Sequence, residues 1–160
     1  MSRPFRHPLS IALSLAMLSA PFAGAMADDD DDDGGRQLGA AGLLTGGAQD
    51  LPPLTLSVVE PLTDGTPYEL VSGEYYSLDI VCDGSGELAL SGSGFFRNIW
   101  VNEVVINDIE VRPMGIESLE FDDEGTATIR FIAIKPGTYS LSIPGSSGES
   151  QRAEFIISGS

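Results

Sequence analysis

From Leu54 onward, apolar and polar residues alternate in short runs, and each run closes on turn chemistry. Leu54-Thr55-Leu56-Ser57-Val58 and Tyr76-Ser77-Leu78-Asp79-Ile80 have the period of two that buries one face of a strand. Glu87–Leu90, Ile99–Ile106, Thr126–Ile134, Tyr139–Ile143 and Glu154–Ile157 continue the series, several of them rich in β-branched residues. Asp64-Gly65, Ser72-Gly73, Asp83-Gly84, Asp123-Glu124-Gly125, Pro136-Gly137 and Pro144-Gly145 punctuate them. No stretch keeps apolar spacing at 3.6 over a helical length. The pattern predicts an all-β domain, a Greek-key β-sandwich of about seven or eight strands over residues 54–160. In Thr126–Ile134 the set Ala127, Ile129, Phe131, Ala133 is expected in the core, and Thr128, Arg130, Ile132, Ile134 on a partly covered face. Pro136-Gly137 reads as a type II turn closing a hairpin between Thr126–Ile134 and Tyr139–Ile143.

The first 53 residues read differently. Arg3 and Arg6 precede an apolar run from Leu9 to Ala20, and Ala25-Met26-Ala27 puts small residues where a signal peptidase reads. A cleaved signal peptide, residues 1–27, is expected, and with it a periplasmic or secreted product. The run is too short to span a bilayer and Pro21 interrupts it, so no stable membrane anchor is expected after cleavage. Asp28–Asp33 is an unbroken acidic run followed by Gly34, Gly35, Gly39, Gly42, Gly46 and Gly47, with Pro52 and Pro53 closing the segment. Residues 28–53 therefore read as a disordered, self-repelling tail, with Leu38–Leu44 offering at most a transient helical turn.

Cleavage changes the available chemistry. It removes His7, the one histidine, and leaves 133 of 160 residues; losing Arg3 and Arg6 moves the net charge from −16 to −18. So acidic a surface repels nucleic acid and anionic lipid, leaving cations or basic protein surfaces as partners. Cys82 is the single cysteine, so there is neither an internal disulfide nor a Cys-rich zinc site; a buried structural thiol is expected. Asp29, Asp31, Asp33 and Gly34 mimic the start of an EF-hand loop, but its twelfth position is Ala40, not glutamate. Weak, non-selective cation association is the expectation for that run.

Three segments together resemble the cupredoxin family. Ser72-Gly73-Glu74-Tyr75-Tyr76-Ser77-Leu78-Asp79-Ile80 resembles the turn-and-strand that opens many such domains. Phe131–Gly145, with Lys135-Pro136-Gly137-Thr138-Tyr139, is similar to the hairpin before the family's C-terminal copper loop. Phe96-Arg97-Asn98-Ile99-Trp100-Val101 is similar to the strand start that carries its first histidine ligand. The likeness covers roughly residues 54–158 and implies the scaffold without its metal. Arg97 stands at the first histidine position, the cysteine position falls near Ser142 or Ile143, and Ser146–Ser150 holds neither histidine nor methionine. Met114 is the one methionine after cleavage. Copper centres of this class need thiolate and imidazole, so no type 1 site and no cofactor are expected.

Catalytic groups are scarce as well. Without histidine there is no Ser-His-Asp or Cys-His arrangement, and no G-x-S-x-G elbow occurs. Glu120, Asp122, Asp123 and Glu124 form a linear acidic run, which does not establish two carboxylates facing across a cleft. The expectation is a non-enzyme: an exported binding or accessory module whose partner is another exported protein or, at Arg97, a small acidic ligand. Phe95, Phe96, Arg97 and Trp100 have the composition of an interface hot spot and are the candidate contact residues. Strand alternation equally allows Phe96 and Trp100 to be core, and Arg97 to pair with Glu103 or Asp108. The alternative function is carboxylate-based binding of calcium or another hard cation, through the tail and the Glu120–Glu124 loop.

Overall fold

The computed structural model describes Gln37, Leu38 and residues 44–159, so the expected signal peptide and the Asp28–Asp33 run lie outside the described residues. The strands are β1 (Gln37–Leu38), β2 (Leu44–Thr45), β3 (Gln49–Asp50), β4 (Leu54–Leu56), β5 (Tyr68–Val71), β6 (Tyr75–Cys82) and β7 (Leu88–Ser91). They continue with β8 (Ile99–Ile106), β9 (Ile109–Val111), β10 (Ser118–Phe121), β11 (Gly125–Ala133), β12 (Gly137–Ser142) and β13 (Arg152–Ser158); a single turn of helix, α1 (Ser93–Phe96), joins β7 to β8. One sheet runs β10-β7-β12-β13-β5 and the other β3-β6-β11-β8-β9, with β4 also on β6. Both are mixed, because β13–β5, β3–β6 and β4–β6 are parallel pairs. The result is a β-sandwich consistent with the expected cupredoxin-like architecture.

The alternation predicted for β11 holds: Ala127, Ile129, Phe131 and Ala133 are buried, while Thr128, Arg130 and Ile132 are half-buried on the outer face. Phe95 of α1 fills the space between the layers, 5.5 Å from Phe131 of one sheet and 4.3 Å from Phe155 of the other (ring centroids). Burying such a ring contributes about 2 to 3 kcal/mol, which is why so short a helix holds its place.

Two boundaries differ from the sequence reading. The sheet begins before Leu54: Gln49 and Asp50 pair in parallel with Tyr76 and Ser77, and the Leu51 N–H donates to the Ser77 carbonyl at 2.9 Å. Pro52 and Pro53 then interrupt this edge, having no N–H to give, and pairing resumes at Leu54. Prolines and glycines masked the edge strand as linker. Gln37–Leu38 pairs antiparallel with Leu44–Thr45, a hairpin where a transient helical turn was expected.

The Pro136-Gly137 segment is not a hairpin. β11 and β12 belong to different sheets, so these residues carry the chain across the sandwich. The Tyr139 hydroxyl donates back to the Lys135 carbonyl at 3.0 Å and fixes that crossing. Gly137 is required there: its φ is +152°, and a Cβ would sit 2.8 Å from the Tyr139 hydroxyl. The tight hairpin is instead β8–β9, whose loop residues Asn107 and Asp108 have φ of 49° and 62°, as a two-residue primed turn demands.

Candidate functional site

The four contact residues predicted from sequence do not form one surface. Phe95 and Phe96 are 1% and 5% exposed and belong to the core, so both are corrected from contact residue to packing residue. Arg97, exposed, ends α1, its N–H donating to the Ser93 carbonyl. Trp100 lies 47% exposed on the outer face of the six-stranded sheet, opposite Ile132. The segments matched to the family's ligand positions, Arg97 and Ser146–Ser150, do not share an end of this fold. Ile134 and Lys135 donate to the Asn98 carbonyl, so β12 starts beside Arg97; it then runs six residues, roughly 20 Å, before the 143–151 loop begins. The loop and Arg97 stand at opposite ends.

Glu103 is paired with arginines, but not with Arg97. A bulge in β8 makes this possible: Arg130 faces Glu103 while Phe131 faces Val101, leaving Asn102 as the extra residue. The bulge resets the alternation, so Trp100 and Glu103 both point outward. There the Glu103 carboxylate receives Arg130 Nη1 at 2.7 Å and Arg112 Nη1 at 2.7 Å, and Arg112 Nη2 reaches Glu110 at 2.9 Å. Asn102 Nδ2 donates to the Tyr75 hydroxyl at 3.0 Å and to the Leu44 carbonyl at 3.3 Å. Asn102, Glu103 and Tyr75 are all buried. This knot ties β9 to β8 and β11 and holds the β2 segment over the outer face. It is a clamp, with both carboxylate oxygens engaged.

What the clamp positions is an overhang. Ile106 faces Ala127 and Val104 faces Ile129, so β8 presents both on the core side of the sheet, and Ile109 and Val111 extend that row onto β9. Only Val104 is covered. Ile106, Ile109 and Val111 are 40%, 65% and 44% exposed, although they occupy core-facing positions. The five-stranded sheet stops short of them at β10. Between the two edges lies a cleft of about 300 Å³ lined by Val104, Ile106, Val111, Pro113, Ile116 and Leu119, and Met114, fully exposed, lies in the chain between the lining residues Pro113 and Gly115. Among the described residues β9 pairs with β8 alone and β10 with β7 alone, so both strands bordering the cleft are sheet edges.

This flank escaped the sequence reading because β9 and β10 are short and lie in a stretch broken by Pro113 and Gly115. The available signal was Asn107-Asp108 between Ile106 and Ile109, a two-residue hairpin signature.

Two acidic features lie elsewhere on the surface. Glu87, Glu120 and Asp122 bring carboxylate oxygens within 4.8 Å of one another at the β7–β10 edge, all exposed. On the opposite flank a cleft of about 620 Å³ is walled by Pro52, Pro53, Pro61 and Pro67, with Glu60 and Asp64 beside them. There the Tyr68 hydroxyl donates to the Pro52 carbonyl at 3.1 Å, and burial pushes the phenol up to about 12, with the Asp64 charge adding to the rise.

No protein-family model matches the chain, and no curated protein sequence does. In shape it is similar to solved copper enzymes. A multi-copper oxidase from Pseudomonas thermotolerans superposes with a TM-score of 0.49 at 12% identity, over 69% of this chain and 30% of that one. A blue copper oxidase from Nitrosomonas europaea gives 0.47 at 10% identity, over 59% and 31%. A copper nitrite reductase from Nitrosomonas europaea gives 0.47 at 16% identity, over 61% and 33%. The chain spans about a third of the length of these proteins.

Proposed function

We propose that the chain works after export, in the periplasm or outside the cell, as a non-catalytic binding or accessory module on a cupredoxin-like scaffold that lacks a type 1 copper centre. The observation that carries this reading is the overhang: core-facing apolar residues Ile106, Ile109 and Val111 left uncovered between two sheet edges. A folded chain gains by covering such a surface, and contiguous apolar patches rimmed by polar residues mark interaction sites. The ligand inventory supports the rest. Cys82 is buried in the core at the end of β6, and the 143–151 loop offers serines and Glu149 in place of imidazole and thiolate.

A tagged exported chain is expected to retain a stoichiometric partner from the exported fraction, and Ile109→Thr with Met114→Ser to lose it. Added copper(II) is expected to give no intense thiolate-to-copper absorption band. Partner loss on Arg97→Ala with retention by the Ile109/Met114 variant would move the site, and a blue product would overturn the ligand argument. The second reading, carboxylate-based binding of a hard cation, has the Glu87, Glu120 and Asp122 cluster in its favour. A stoichiometric calcium titration abolished by Glu120→Gln would put it first.

A further inference from the structure

We propose that the β9–β10 flank binds by strand addition, taking a segment of the partner protein in which apolar and basic residues alternate. This rests on the binding-module reading and names the chemistry of its partner. The flank itself alternates: Ile109 and Val111 lie on the cleft side of β9, and Glu110 between them lies on the other. An added strand with the same period places apolar side chains over the cleft and its intervening residues beside Glu110. The flank as a whole is negative. Asp108 sits in the hairpin turn, Glu110 on the strand and Glu117 on the far lip, and all three are exposed. Arg112, the one cation on β9's side of the cleft, is already held by Glu103 and Glu110. Glu110 is thereby paired, and Asp108 and Glu117, which have no ion pair among the described residues, are the carboxylates that lysine or arginine on the incoming strand meets.

The same charges disfavour a second copy of this chain as occupant. Two such flanks face to face would bring Asp108, Glu110 and Glu117 against their own equivalents on a chain of net charge −16. The opposite edge offers no comparable seat, because Pro52 and Pro53 interrupt it.

The test uses the exported chain and two short capped peptides, one alternating lysine with valine and one alternating glutamate with valine, followed by titration calorimetry. The basic peptide is expected to bind at least about tenfold more tightly than the acidic one, with an affinity that falls as salt rises. Ile109→Ser and Met114→Ser, both at exposed positions, are each expected to weaken it several-fold, while Arg97→Ala leaves it unchanged. Equal binding by the Ile109 and Met114 variants overturns the site and leaves the module reading standing. A concentration-dependent dimer abolished by the same substitutions overturns it in favour of a second copy. Failure of both peptides overturns strand addition, and retention of a stoichiometric partner in the capture experiment would then show that the module reading survives without it.

Discussion

The two flanks of this sandwich solve the problem of a sheet edge in opposite ways. On the β4–β5 side the chain interrupts its own edge with Pro52 and Pro53 and wraps the 57–67 loop across it. That loop is tied down by Leu62, whose N–H donates to the Ser150 carbonyl at 2.7 Å and whose carbonyl accepts from Thr55 at 3.0 Å. On the β9–β10 side no proline lies within either strand, and the core-facing row runs past the end of the opposing sheet. Edge strands invite pairing unless they are blocked, so a blocked edge and an open one in one domain point to different duties. The first closes the core. The second stays unpaired among the described residues.

Glu103 is where this contrast is most exposed to attack, because it holds the open flank in place. Glu103→Gln should leave two guanidiniums facing an uncharged amide and lower stability by about 2 to 3 kcal/mol; the figure stays modest because both arginines keep contact with water. Denaturant unfolding measures the loss, and amide exchange should show β9 loosening first. If Glu103→Gln unfolds like the native chain, the clamp is not what orders β9.

Tyr68 probes the closed flank. Folding raises its phenol from 10.0 to about 12. The folded state holds this proton more tightly than the unfolded chain does. The resulting stabilisation is complete below about pH 10 and is lost as pH rises through about 12. Tyr68→Phe should cost about 1 kcal/mol at neutral pH, through the lost bond to the Pro52 carbonyl, and should flatten that alkaline slope. A slope unchanged in Tyr68→Phe would assign the alkaline loss to another phenol such as Tyr75, which burial also raises.

The smallest effect on stability belongs to the open flank. Ile109→Thr and Met114→Ser should each change the unfolding free energy by about 0.5 kcal/mol or less, since neither side chain is buried. A larger loss would mean that these residues already have a neighbour to pack against, and the overhang would be a structural seam.

The sequence showed the long core strands and hid several short edge strands, because a period of two needs length to repeat. β6, β11 and β13 are long enough for a period of two to repeat, so their buried sets are visible in the order of residues. β5, β9 and β10 span three or four residues and carry too few repeats to stand out. At β8 the bulge at Asn102 changes the phase of the alternation midway. A strict count therefore places Glu103 with Val101, where the fold places it with Trp100. Phe95 and Phe96 misled for a different reason. Adjacent aromatics beside an arginine have interface composition, yet one turn of helix turns both rings into the core. Composition identified apolar residues awaiting a partner; topology decided which of them had already found one inside the chain.

The most direct test of the open-flank account is backbone amide exchange, followed residue by residue, on the chain with and without the lysine–valine peptide. Protection is predicted to rise across β9 and β10, from Ile109 to Leu119, while residues 51–69 and the Arg97–Trp100 segment stay unchanged. New protection centred on residues 51–69 or on Arg97–Trp100, with β9 and β10 unaffected, would contradict it.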